Sequence, residues 1–322
     1  MMFLEIQGLK VSYRSYAGTI TVLDDFYLNM KEGETVAIVG ESGSGKSTLG
    51  QAITKLLPPS AVMDGKIEVS GIDISKKSED EMSNIRGTTM FMIFQNPLNS
   101  LNPVKTVGFQ LMEAISIRNQ RNGENMTEEQ MKNEVVETMK VVRLPDPERI
   151  LERYPHELSG GQVQRVVICM ALLLKPRLLI ADEPTTALDV TIQAQVVNLL
   201  KELNQTRKMS IIFITHDLSL AYVLADRIVV MYAGRIMEDG PAEDLIRKPL
   251  HPYTEGLLMS IPTNDKNAGP LYSIPGSPPS FFSLPKGCKF SPRCRYVFGK
   301  CETEEPRLVN YGSSSVRCWL RG

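Results

Sequence analysis

The sequence predicts an α/β fold built on a parallel sheet, and three observations carry that prediction. Strand-like and helical stretches alternate along the second half: Arg177-LLIADE, a helix over Thr191 to Gln205, the strand Ser210-IIFIT, and a helix over Leu218 to Leu224. Strands that alternate with helices return to the same edge of a sheet and pair in parallel. The run Thr35-Val-Ala-Ile-Val39 is apolar throughout, the pattern of a strand buried on both faces. That run leads into a Gly/Ser-rich loop and then a helical pattern from about Lys46 to Lys55.

The remaining elements follow in order. Residues 1–39 read as short strands with turns, because FLEIQGLKVSY and TITVLDDFYLNM alternate and are separated by Ala17-Gly18. Gly65 to Asp73 reads as a further strand pair. From Pro97 to about Leu158 the pattern turns helical, with MTEEQMKNEVVETMKVV as its clearest stretch and a solvated loop expected at Asn119 to Asn125. ADRIVVMYAGRIMEDG reads as a hairpin. Beyond Pro241 the composition shifts to a proline-rich segment holding a cluster of cysteines.

Composition narrows the function classes. The chain has 322 residues, is 42% hydrophobic and carries a net charge of −1, so it can bury a sizeable core but lacks the basic excess of a non-specific nucleic-acid binder. No apolar run approaches the roughly 18 residues that span a bilayer. The start, MMFLEIQGLKVSY, has none of the regions of a secretory signal, which points to the cytosol. A reducing compartment disfavours disulfides, so Cys288, Cys294, Cys301 and Cys318 point first to a metal or metal-cluster site. Cys169, in VVICMALLL, reads as a small buried hydrophobe.

The phosphate chemistry is the sharpest signal. Gly40-Glu41-Ser42-Gly43-Ser44-Gly45-Lys46-Ser47 fits G-x-x-x-x-G-K-[ST], follows a strand and opens a helix. Glycines let main-chain N–H groups turn inward on phosphate oxygens, and the helix start adds its positive dipole end. Lys46 reaches the outer phosphates, the Ser47 hydroxyl is a Mg²⁺ ligand, and Thr48 completes the loop's contacts. A second strand, Leu178-Leu-Ile-Ala, ends in Asp182 and Glu183, at the sheet end where α/β folds bind ligands. Asp182 suits Mg²⁺ and Glu183 suits a general base on the attacking water.

Further residues make the pattern specific. Leu158-Ser159-Gly160-Gly161-Gln162 is similar to the signature motif of the ABC ATPases. A glycine turn opening a helix can bind an anion, and Ser159 also reads as an ordinary helix cap. The resemblance implies that Ser159, Gly160, Gly161 and Gln162 serve the γ-phosphate held by a facing cassette. In the same terms Gln95 resembles the glutamine that senses Mg²⁺ and the attacking water, and Ala187-Leu188-Asp189 resembles the loop that talks across the dimer. His216 resembles the switch histidine, and Tyr13 the aromatic that stacks on adenine, with Arg14, Tyr16 and Val22 as neighbours. The resemblance implies an ABC-type phosphate-loop ATPase: a RecA-like core, an antiparallel β subdomain and an α-helical signature subdomain at about 97–165, all within residues 1–240.

Residues 241–322 form an expected C-terminal extension. Pro249-Leu-His251-Pro252-Tyr253-Thr254, Ile274-Pro-Gly-Ser-Pro-Pro, Glu304-Glu305-Pro306 and the stretch from Pro285 to Leu320 resemble the ATPase subunits of oligopeptide, dipeptide and nickel-type ABC importers. ADEPTTALDVTIQAQ is typical of the same group, whereas Gln162-Val-Gln-Arg165 departs from it, since relatives often carry Met and a basic residue there. The cysteine spacing C-x5-C-x6-C-x16-C matches neither a zinc ribbon nor the common ferredoxin patterns. The resemblance implies a [4Fe–4S] cluster on Cys288, Cys294, Cys301 and Cys318, with zinc or free thiols as alternatives. Lys289, Arg293 and Arg295 would lower the thiol pKa values.

The resemblance further implies ATP and Mg²⁺ as cofactors and a second, homologous but different cassette. It also implies two membrane-spanning permease subunits, an extracellular substrate-binding protein, and a peripheral place at the cytoplasmic face of the cell membrane. Residues from Gln95 to about Val104 would dock on the permeases. Import of sugars or nickel by the same architecture is one alternative. A soluble, non-transport ABC ATPase is another, but those usually carry two cassettes or a long coiled coil, and this chain has one cassette and no sustained heptad.

Overall fold

The computed structural model describes residues 2–16, 18–185, 189–261 and 272–321. The chain divides into two compact units, one made of Met1–Ser75 with Phe213–Gly322 and the other of Lys76–Ile212.

The first unit begins with two long strands, β1 (Leu4–Ser15) and β2 (Gly18–Met30). Strand β3 (Thr35–Val39) follows and is buried along its whole length, as its unbroken apolar run requires. Helix α1 (Lys46–Ile53) begins where the phosphate loop ends. Strands β4 (Ala61–Val69) and β5 (Ile72–Asp73) then complete an antiparallel sheet in the order β2-β1-β4-β5. The alternation read at 1–30 and at 65–73 is thus one sheet with one face on the core: Leu4, Ile6, Leu9, Leu23, Phe26, Ile67 and Val69 are all buried.

The second unit opens with α2 (Glu79–Ile85), whose Ser78 and Glu81 form a capping box, and β6 (Met90–Ile93). Helices α3 (Val107–Asn122), α4 (Glu128–Val141), α5 (Pro147–Leu151) and α6 (Gly160–Leu174) follow. Helix α6 is buried at nearly every position after Gln162, including Cys169, whose thiol burial pushes well above its ordinary pKa. Strand β7 (Leu178–Asp182) lies parallel to β6, and helix α7 (Val190–Arg207) comes next. Strand β8 (Ser210–Thr215) carries the chain back into the first unit.

The solvated loop expected at Asn119 to Asn125 is displaced. Residues 119–122 form the last turn of α3, and only Gly123 to Thr127 link the helices. Asn119 is buried because its neighbour Arg118 is the hub of a polar network. The Arg118 guanidinium, 1% exposed, grips Glu134 through two bonds of 2.7 and 2.9 Å and donates to the Leu173 carbonyl at 2.9 Å. A charged residue flanked by polar ones looks like a loop until its partner in the next helix is known.

This pair has a pH signature. The hydrogen bond from Arg118 holds the Glu134 carboxyl at about 2, against about 4.3 in an unfolded chain. A carboxyl depressed by folding stabilises the folded state above the unfolded value, and the gain is lost as pH falls towards the folded value. Glu134→Gln is therefore expected to cost on the order of 2 kcal/mol at neutral pH, with the penalty shrinking as pH is lowered through that window. Denaturant unfolding of both chains across the pH range measures it; a pH-independent gap would contradict the assignment.

Back in the first unit, helix α8 (Leu218–Leu224) precedes the hairpin β9 (Arg227–Tyr232) and β10 (Arg235–Pro241). Strand β9 lies parallel to β3. Helices α9 (Ala242–Arg247) and α10 (Pro252–Met259) lead to the cysteine-bearing region, with α11 (Gly299–Thr303) and the short strands β11 (Val309–Tyr311) and β12 (Ser314–Val316). Strand β12 pairs with β10, so the extension is stitched onto the sheet that carries β3 and β9.

Candidate active site and thiol cavity

The phosphate loop is shaped by its glycines. Gly43 and Gly45 have φ of 77° and 101°, backbone that L side chains rarely adopt. At Gly40 a Cβ would sit 2.1 Å from the Met231 carbonyl oxygen, so only glycine fits against β9. Lys46, 4% exposed, donates from Nζ to the carbonyls of Gly40 (2.8 Å) and Glu41 (2.9 Å). Ser42 is exposed, Ser44 is buried, and Ser47 and Thr48 are half-buried. Tyr13 lies beside this loop, its hydroxyl 3.2 Å from the Thr48 hydroxyl. Val22 packs at Gly45, where an added Cβ would meet its Cγ1 at 3.3 Å. Arg14 and Tyr16 are exposed. His216 is exposed just beyond β8.

In the second unit β7 ends at buried Asp182, and Glu183 follows with φ of 45°. A non-glycine residue in that region marks strain held by its surroundings, often at a functional site. Gln95 Nε2 donates to Glu183 Oε2 at 3.1 Å, so residues 88 positions apart meet. Ser159 caps α6: its hydroxyl accepts from the Gln162 N–H, and its own N–H donates to Gln162 Oε1 at 3.0 Å. Ser159 and Gly160 remain exposed, and a Cβ on Gly160 would meet nothing within 4 Å. The departure at Gln164 and Arg165 is structural in effect. Both are buried, and Arg165 donates to the Val142 carbonyl at 2.6 Å and to Gln195 at 2.5 Å. Ala187 and Leu188 lie outside the described residues, while Asp189 caps α7 by accepting from the Ile192 N–H at 2.9 Å.

Cys288, Cys294, Cys301 and Cys318 line one cavity of about 10 Å³, together with His251, Phe290 and Trp319. The Cys288 N–H bonds the Cys301 carbonyl at 2.8 Å, which ties two of the thiol-bearing segments together. The donor chemistry fits a four-thiolate group. The expected metal site is nevertheless not preformed: among the described residues no group of three or more His, Cys, Asp or Glu side chains is arranged to hold a metal ion. The expected lowering of the thiol pKa values is also corrected. Burial pushes Cys288 up to about 11 and raises Cys294 and Cys318, and Arg295 offsets only a small part of this at Cys294. Lys289 and Arg293 are spent on Glu305 and Glu41 instead.

The His251-Pro252-Tyr253 segment is anchored by Glu238 on β10, a contact that no local pattern signals. The fully buried Glu238 carboxylate accepts from the N–H groups of Leu250 (2.9 Å) and His251 (2.8 Å). His251 Nδ1 accepts from the Tyr253 N–H at 2.9 Å, and burial holds its imidazole down at about 3, so it is neutral.

A glycine loop between strand and helix, an acidic strand end touching a glutamine, and a glycine-opened capped helix define an ATP-binding cassette. The chain belongs to the ABC transporter family, whose profile matches residues 23–186. Within it the chain falls among the dipeptide and oligopeptide transport ATP-binding proteins, and a second profile, the C-terminal region of oligopeptide/dipeptide transporters, matches residues 237–301. The dipeptide transport ATP-binding protein DppD of Bacillus subtilis is 46% identical, over 99% of this chain and 94% of its own. DppD of Escherichia coli K12 is 45% identical, over 96% and 93%. A solved ATP-binding cassette, captured as a dimer in a post-hydrolysis state with ADP and Pi, superposes with a TM-score of 0.66 at 30% identity, covering 74% of this chain and 98% of that one.

Proposed function

We propose that the chain is the ATP-hydrolysing subunit of a peptide importer. The observation that carries this is the joining of a full set of ABC motifs to an extension of the oligopeptide/dipeptide type in one chain. The same extension favours peptides over sugars or nickel as cargo.

The residues divide the work as follows. Main-chain N–H groups of Gly40 to Ser47 and the Lys46 ammonium hold the phosphates, Tyr13 with Val22 receives the adenine, and His216 meets the γ-phosphate. Ser47, Gln95 and Asp182 would be the Mg²⁺ ligands, and the ion would neutralise phosphate charge. Glu183 takes the proton of the attacking water, oriented by Gln95. Ser159, Gly160, Gly161 and Gln162 present a capped helix start to ATP on a second cassette, and Asp189 lies at that same face.

ATP drives transport because it binds the closed pair of cassettes more tightly than the open one. Among the described residues no helix is long and apolar enough to cross a membrane. In this reading movement is passed to two permease subunits, with a separate binding protein delivering the peptide. Leu98 and Val104, about half or more exposed within the segment Gln95 to Val104, supply an apolar docking surface for the permeases. Affinity purification from native membranes is expected to bring down two permeases and a second ABC cassette; recovery of the chain alone, or with non-membrane partners, would refute the reading.

The four thiols are proposed to carry a [4Fe–4S] cluster, supported by their convergence on one cavity. A resident cluster would staple a proline-rich segment with little core of its own. Cys288, Cys294, Cys301 and Cys318 would be its ligands. Anaerobically purified protein is expected to contain iron and sulfide and to absorb in the visible, and the Cys294→Ser chain to lose both. Stoichiometric zinc without iron would replace the cluster by a zinc staple.

A further inference from the structure

Glu41 stands at a position the phosphate-loop motif leaves open, yet both its side chain and its main chain are held. Its carboxylate accepts two bonds from the Arg293 guanidinium, NH1 to Oε2 at 2.6 Å and NH2 to Oε1 at 3.0 Å. A planar fork on a carboxylate is the strongest and most directional ion pair available to side chains. Arg293 is itself fixed: Nε donates to the Pro275 carbonyl at 2.8 Å, NH1 reaches the Tyr232 hydroxyl at 3.2 Å, and the group is 7% exposed. The main chain of Glu41 is held as well. Its N–H donates to the Tyr253 hydroxyl at 2.9 Å, and its carbonyl accepts from Lys46 Nζ. Tyr253 is fully buried, with its ring edge-on to Tyr232 at 4.7 Å and beside Phe290 at 5.2 Å. The extension thus takes both the side chain and the N–H of Glu41, while the carbonyl of the same residue orients the phosphate-binding lysine.

We propose that Arg293 and Tyr253 of the extension are positioning residues of the ATP site: by clamping Glu41 they hold the phosphate loop and Lys46 in the arrangement that receives ATP, and so set nucleotide affinity. This rests on the ATP-binding role of the loop. The clamp touches no reacting atom, so its loss weakens binding and leaves the chemical step intact. Arg293 lies between Cys288 and Cys294 of the thiol cavity, so the clamp and that cavity share one short stretch of chain.

The test is titration of the purified full chain with a fluorescent ATP analogue, with KM and kcat measured on the co-purified complex. Arg293→Ala is expected to raise Kd and KM about ten-fold while kcat at saturating ATP stays within about two-fold. Glu41→Ala is expected to do the same, and the double variant to be no worse than either single, because both remove one interaction. Tyr253→Phe keeps the packed ring and loses only the hydroxyl; a Kd increase of about three-fold is expected, and this variant decides the matter if Arg293→Ala does not fold. Affinity unchanged in Glu41→Ala and Tyr253→Phe, or losses that simply add in the double variant, would overturn the clamp. A lowered melting temperature with wild-type affinity would also overturn it, leaving only a structural tie. If the wild-type chain bound no nucleotide, the ATP-binding reading itself would fall instead.

Discussion

Glu183→Gln is expected to stop ATP turnover while leaving ATP binding in place. Gln is nearly isosteric, and its amide oxygen can still accept the bond that Gln95 Nε2 makes to Glu183 Oε2 at 3.1 Å. The local frame, including the left-handed backbone at position 183, is therefore preserved. What is lost is the ability to take a proton from the attacking water. General-base catalysis contributes about 10²–10⁴-fold, and a loss in that range or beyond is expected in phosphate release. Bound nucleotide, measured by filtration or fluorescence, should match wild type. Turnover within a few-fold of wild type would remove Glu183 from the role of base.

Lys46→Ala is expected to act one step earlier, on binding. The Lys46 ammonium is nearly buried and already held against the loop by two carbonyls, so it is oriented before phosphate arrives and little ordering remains to be done. Removing a preorganised charge aimed at phosphate oxygens costs on the order of 10²–10³-fold in kcat/KM. The contrast with Glu183→Gln lies in the nucleotide titration, where Lys46→Ala should show little or no saturable binding. Near-normal affinity in that chain would mean that the loop's N–H groups suffice alone.

Much of the site was legible in the sequence because the chemistry depends on local spacing. The loop from Gly40 to Ser47 needs glycines at set offsets, a strand before it and a helix after it, and all three can be read within a few residues. The pairing of Gln95 with Glu183 was accessible only through resemblance, since 88 residues separate them and no local pattern joins them. The helical character of residues 97 to about 158 followed from periodicity, but the boundary near Asn119 did not, because the buried Arg118–Glu134 pair disguises a helix end as a polar loop. The sign of the thiol shifts was misread for a related reason. Basic neighbours in sequence matter only if their charges face the thiols, and here Lys289 and Arg293 face carboxylates while burial dominates. The Glu41–Arg293 clamp has no local signal: its partners stand 252 residues apart, one at an unconstrained motif position and the other between two cysteines.

The fold explains why these distant residues cooperate. Strand β12 pairs with β10 and the Glu238 carboxylate holds the His251 segment, so the extension is continuous with the sheet that carries the phosphate loop. The phosphate loop and the described part of the C-terminal region thus belong to one compact unit.

The central claim is that ATP hydrolysis at this site powers peptide uptake. It is tested most directly by following uptake of a labelled dipeptide or short oligopeptide into cells that make either the wild-type chain or Glu183→Gln at equal levels in place of the native copy. Uptake falling to background with Glu183→Gln, alongside unchanged assembly with the permeases, is the predicted result. Peptide uptake undiminished in those cells would contradict it.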